Sequence, residues 1–282
     1  PKGTTGLRYD LGGHVGSEGM LDRRRALMLL VGSGVALACG RAGAQLDAPT
    51  RNPHSEWSMD PNPALPNVLI LGDSISMGYT LDVRRLLQGQ ANVMHPMQAN
   101  GLAPVNCGNT AFGLAHLASW LGDTKWDVIH FNWGLHDLAY YRQVPSPSTG
   151  DSKAHLVGAP IMGKLPGTQA IPLLEYRKNL TRLVERMERT RASLIWAATT
   201  AVPPGSSGRI PEDVVQYNQA AARIMHVHGV KIDDLYALTK SMPLDMHLKP
   251  NNVHYKKEGY EEIARQVATS VKASLQQVRR PA

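Results

Sequence analysis

Cysteine is nearly absent. The 282-residue chain has two, Cys39 and Cys107. Cys39 falls in a segment read below as removed on export, which leaves Cys107 alone and excludes an intrachain disulfide even in an oxidising compartment. No cysteine–histidine cluster has zinc-ligand spacing, so the sequence calls for neither metal nor cofactor. No repeat period is present. A basic stripe interleaved with aromatics is also missing. The formal charge is +7, but six Lys/Arg and three Asp/Glu lie in the first 44 residues. Without them the excess is +4 and scattered, so no nucleic-acid partner is expected. What remains is the composition of a soluble globular protein, 43% apolar and 19% charged. The length suits one large domain or two small ones.

The first 44 residues read as lying outside the fold. Met20-Leu21-Asp22-Arg23-Arg24-Arg25 is a basic start, Ala26 to Ala38 is apolar, and Ala42-Gly43-Ala44 fits an Ala-x-Ala cleavage site. Adjacent arginines before an apolar stretch are similar to a twin-arginine export signal. A permanent anchor is the alternative, but the run is short for a spanning helix and contains glycines. Cleavage predicts an exported protein, periplasmic or secreted, with no stable membrane insertion afterwards. Ala36-Leu37-Ala38-Cys39 faintly resembles a lipoprotein box and keeps a lipid anchor at Cys39 as a lesser alternative. Residues 1–19 read as upstream sequence, 20–44 as the signal, 45–65 as an irregular lead-in with several prolines, and 66–278 as the folded domain.

That domain alternates two periodicities. Strand-like runs are Val68–Leu71, Ala91–Met94, Val128–Phe131, Leu194–Ala198 and Val230–Ile232. Helix-like stretches follow. Leu173, Tyr176, Leu180, Leu183, Val184 and Met187 share one face. Pro211-Glu212-Asp213 opens a helix that runs to His228, with acids near its positive end. Glu258 to Gln277 carries a third stripe. Short apolar strands alternating with helices predict a parallel five-stranded sheet covered on both faces, a three-layer α/β/α sandwich of the flavodoxin-like kind. Ligands in such sheets bind at the carboxyl ends of the strands. Residues 142–171, rich in Pro, Ser and Gly, break the alternation. They read either as a lid or substrate-binding insertion or as an irregular excursion.

The run Asn67-Val68-Leu69-Ile70-Leu71 ends in Gly72-Asp73-Ser74. A strand that delivers a serine to a tight turn presents both its hydroxyl and its N–H at the sheet edge. A serine hydroxyl needs a base. His254, on the loop before the last helix, is the candidate among eleven histidines.

Four short segments occur in order: Gly72-Asp73-Ser74, Asn106-Cys107-Gly108-Asn109, Gly134-Leu135-His136-Asp137 and Asn251-Asn252-Val253-His254. In kind and order they resemble the blocks of the SGNH/GDSL hydrolases, over about residues 66–275. The resemblance implies that family's fold and an esterase or acylhydrolase activity. It implies Ser74 as nucleophile, His254 as general base and then acid, and the N–H groups of Ser74 and Gly108 as oxyanion donors. Two positions depart from the pattern. His136 stands where the third donor is an asparagine, and an imidazole N–H can replace it; bracing the loop through Asp137 is its other reading. Asn251 stands where an acid orients the histidine. An amide can hold the tautomer but adds no charge, and Asp245 is a nearby acid without matching spacing. Asp73 and Asp137 read as structural. Trp133 is a candidate sugar platform or a core residue, and His155 a candidate substrate contact.

The expectation is an exported serine esterase acting on short acyl esters, acetyl on carbohydrate above others, with a small-molecule or glycan ester as partner. A lipase or thioesterase-type acylhydrolase and a non-catalytic glycan-binding member of the fold are the alternatives.

Overall fold

Five apolar runs, each too short for a helix and bounded by turn residues, form the central sheet. The computed structural model describes residues 56–145, 152–161 and 163–278. The expected export signal and Cys39 lie outside them. In chain order the elements are β1 (Asn67–Leu71), α1 (Ser74–Leu86), β2 (Asn92–Met94), α2 (Thr110–Leu121), β3 (Val128–Phe131), β4 (Tyr140–Pro145), β5 (Ser152–Leu156) and β6 (Thr168–Gln169). These are followed by α3 (Leu173–Glu188), β7 (Ser193–Ala197), α4 (Pro211–Val227), β8 (Lys231–Asp233), α5 (Leu235–Lys240) and α6 (Lys257–Val278).

The central sheet is parallel, in the order β2-β1-β3-β7-β8. This is the doubly wound order with its switch point beside β1. Strands β1 and β3 are buried along almost their whole length, which is why they read as continuous apolar runs rather than as alternating ones. Helices α1 and α6 pack together, as do α2 with α3 and α3 with α4. Helix α3 buries Tyr176, Leu180, Leu183, Val184 and Met187 completely, five of the six residues its spacing marks out. Helix α1 has no such clean stripe. Its buried face includes Ser76 and Thr80, whose hydroxyls donate to the carbonyls of Asp73 and Ser76.

The described residues of 142–171 are not merely an irregular excursion. Strands β4, β5 and β6 form a second, antiparallel sheet in the order β5-β4-β6. Its strands are short and polar, so the sequence pattern hides them. The Tyr140 N–H donates to the Gly208 carbonyl and the Gly208 N–H to the Gly158 carbonyl, which ties this sheet to the loop before α4. Among the described residues no helix is long and apolar enough to cross a membrane.

Candidate active site

Strand β1 ends at the sheet's carboxyl edge, and the chain turns at once into α1. Asp73 is the N-cap: its backbone is extended and its Oδ1 accepts from the Ile75 N–H at 2.9 Å. Ser74 is therefore the first residue of α1. Its N–H is one of the helix's unpaired donors and has no acceptor among the described residues.

Ser74 Oγ lies 2.8 Å from His254 Nε2, across 180 residues of sequence. His254 sits on a closed loop. His247 and Tyr255 pair across its base, the Leu248 N–H donates to the His254 carbonyl, and the Asn252 N–H donates to the Lys249 carbonyl. Within it Asn252 Oδ1 is 2.9 Å from the His254 backbone nitrogen and 2.9 Å from His254 Nδ1. That pairing sets the tautomer. A backbone N–H only donates, so the Asn252 atom facing it is the oxygen, and Nδ1 beside the same oxygen must carry the proton. Nε2 then presents a lone pair to the Ser74 hydroxyl, as a base requires. The buried His247 fixes Asn252 in turn, through Nδ1 to the Asn252 carbonyl at 2.8 Å.

The amide beside the ring is thus that of Asn252, not the Asn251 that the resemblance implies. The hairpin-like closure of the loop aims the side chain of Asn252 at the ring and leaves Asn251 exposed at the mouth of a cavity. Asp245 makes no hydrogen bond or ion pair with His254.

Gly108 has a positive φ of 60°, a conformation that favours glycine. Its N–H is already engaged, donating to Asn106 Oδ1 at 2.9 Å. That bond occupies the N–H that the resemblance implies as an oxyanion donor, a competition with no signal in the sequence. His136 is partly buried and has no hydrogen-bond partner among the described residues, so its ring N–H is free. The bracing belongs to Asp137 instead. Its Oδ1 accepts from both the N–H and the hydroxyl of Thr110, the first residue of α2. Gly134 must be glycine for this loop to close, since a Cβ there would lie 2.1 Å from Thr199 Oγ1.

Trp133 offers no sugar platform. It is 1% exposed, packs under Gly113, and donates its indole N–H to the Cys107 carbonyl at 3.1 Å. A flat ring with an N–H partner in the core supports the segment leading to Gly108 rather than touching ligand. His155 lies on β5, paired with Arg142, and its side chain falls outside the described residues. Cys107 is buried, and burial pushes its thiol up to about 12, so it is no nucleophile at neutral pH.

Burial holds His254 below the ordinary histidine range; nearby Asp73 opposes this, while Arg209 and His136 reinforce it. Burial lowers His136 as well, with Asp73 again opposing and Arg209 adding. Both rings are therefore neutral at neutral pH. Beside His254 lies a cavity of about 200 Å³, lined by Leu156, Ser206, Ser207, Arg209, Asn251 and His254. Leu156 comes from β5, so the antiparallel sheet forms one wall. Arg209 was not singled out from the sequence; a lone arginine in a loop carries no pattern. Among the described residues no group of acids, histidines and cysteines could hold a metal ion.

No protein-family model matches the sequence, and no curated protein matches it significantly. Solved structures do match. An acetyl xylan esterase superposes with a TM-score of 0.53 at 13% identity, over 73% of this chain and 99% of its own. A lipase/acylhydrolase from Enterococcus faecalis gives 0.53 at 17%, over 74% of this chain and 96% of its own. A GDSL-like lipase from Bacteroides thetaiotaomicron gives 0.50 at 13%, over 74% and 88%. The chain has the SGNH-hydrolase fold. At these identities the likeness is one of fold.

Proposed function

We propose that the protein is a serine esterase with Ser74 as nucleophile and His254 as base. One observation carries this: Ser74 Oγ at 2.8 Å from an unprotonated Nε2, in a ring whose other nitrogen is held by Asn252. Ser74 Oγ attacks the ester carbonyl while its proton passes to Nε2. The carbonyl oxygen becomes an oxyanion facing the Ser74 N–H at the positive end of α1. His136 supplies a second donor, and Gly108 a third when Asn106 rotates off it. The intermediate collapses by expelling the alcohol, which takes the proton from Nε2 and leaves acyl-Ser74. Water then adds to the acyl carbon, giving a proton to Nε2, and the acid departs as Ser74 recovers its hydrogen.

Asn252 fixes the tautomer without a negative charge, so the imidazolium formed in each step is less stabilised than it would be beside a carboxylate. We read the substrate as a short acyl ester, an acetyl ester of a carbohydrate above others. The acetyl xylan esterase among the fold neighbours supports this, as does the small cavity beside His254. The export signal read from residues 20–44 fits a substrate outside the cytoplasm.

Hydrolysis of p-nitrophenyl acetate tests the reaction. Wild type turns over and labels with a fluorophosphonate; Ser74→Ala loses both, with kcat down about 1,000-fold or more. Equal rates in wild type and Ser74→Ala would exclude Ser74 as nucleophile.

A further inference from the structure

Arg209 is the one arginine among the described residues that line the cavity beside His254, and its hydrogen bonds go to backbone carbonyls. Nε donates to the Leu135 carbonyl at 2.9 Å, and Nη1 reaches the Ser207 carbonyl at 3.4 Å. Among the described residues it has no ion pair. Asp73 acts on it only through space, from beyond ion-pair distance, and is itself buried beneath the site. Neutral carbonyls do not fully compensate a cation withdrawn from water. Arg84 is held in the same way by three carbonyls, but only Arg209 of the two lines the cavity beside His254.

The guanidinium is also held in place. Gly208, immediately before it, is bonded to Tyr140 of β4 and to Gly158 just beyond β5, and Leu156 packs on its α-carbon. Nε anchors the other side to the loop that carries His136. A fixed fork with spare N–H donors, open to a cavity, is the arrangement that recognises a planar oxyanion.

The chemistry of the reaction says which part of a substrate meets it. His254 Nε2 must protonate the departing alcohol oxygen, so the alcohol moiety lies on the His254 side, in this cavity. Resting on the esterase reading, we propose that Arg209 selects esters whose alcohol moiety carries an anionic group, a carboxylate or sulfate on an acylated sugar. The anion supplies the counter-charge that the protein omits.

The test compares three acetylated methyl glycosides that differ at one carbon: a glucoside, a glucuronoside and a glucoside 6-sulfate. Wild type is expected to favour the charged esters in kcat/KM by about tenfold or more, mainly through KM. The better of the two names the anion. Arg209→Gln brings the ratio to about one, and Arg209→Lys keeps part of it. Because Arg209→Gln also loses the Leu135 bond, the wild-type ratio stands as a measurement of its own. Calorimetry on Ser74→Ala with unacetylated methyl glucuronoside and methyl glucoside reads recognition without turnover. It keeps the two proposals apart if no ester is cleaved: preferential binding of the acid, lost when Arg209→Gln is added, supports the role of Arg209 even then. Equal kcat/KM for neutral and charged esters, or equal binding of acid and neutral sugar, overturns it.

Discussion

At the residue scale the site turns on how one imidazole is held. Asn252 Oδ1 receives two N–H groups of His254, and its own carbonyl is fixed by His247. Removing the amide frees the ring to adopt the other tautomer, in which Nε2 carries the proton and cannot accept one from Ser74. Asn252→Ala is therefore expected to lower kcat on p-nitrophenyl acetate by about 10- to 100-fold. Asn251→Ala should cost far less, because its side chain does not touch the ring. A larger loss at Asn251 would return the orienting role to it. The same histidine sets the pH profile. With the His254 pKa below the ordinary 6.5, the neutral, competent form is already dominant at pH 6.5. kcat/KM should climb on an acid limb with its midpoint below 6.5 and be level by pH 7. A midpoint at or above 6.5 would mean that burial and Arg209 do not act on the ring as described.

Elements decide which residues can meet, and here the sequence is legible unevenly. The five central strands and helices α3, α4 and α6 are readable to within about two residues, because all but the edge strand β8 bury a mostly continuous run or a single stripe. Helix α1 was less so: serine and threonine interrupt its buried face and satisfy their hydroxyls on its own backbone. The polar strands β4 to β6 left no periodic signal, and their pairing comes from contacts with the loop around Gly208. Within the candidate site the pairing of Ser74 with His254 is what the resemblance of the four segments implies, and the two side chains do meet in the fold. The choice between Asn251 and Asn252 does not, because the bonds that close the loop between His247 and Tyr255 decide which amide faces the ring. The engagement of Gly108 by Asn106 and the open guanidinium of Arg209 are likewise products of folding, with no counterpart in local sequence.

At the scale of the whole molecule, stability depends on pH through several buried groups, of which two, Asp137 and His95, pull in opposite directions. Burial pushes the Asp137 carboxyl up to about 7, against the hydrogen bonds from Thr110. The folded state then holds a proton that the unfolded chain gives up near 3.8, so stability falls as pH rises from about 4 to 7. Burial drives His95 down to about 4, so the unfolded chain binds its proton first and stability rises over 4 to 6.5. The two slopes offset each other in wild type. Asp137→Asn keeps the acceptor for Thr110 and removes the ionisation. Its melting temperature should gain on wild type by about 5 °C between pH 4.5 and 7.5. A constant difference across that range would mean that Asp137 is ionised in the folded state.

Ser74 and His254 stand 180 residues apart and meet only where the end of β1 faces the loop before α6. During synthesis the serine leaves the ribosome long before its histidine exists. At a typical elongation rate of about 5–20 residues per second the interval is on the order of 10 to 40 seconds. Throughout it the Ser74 hydroxyl is without the imidazole that meets it in the folded chain. The order of the chain thus acts as a timer: the Ser74–His254 pair closes only after all the strands of the central sheet have been made.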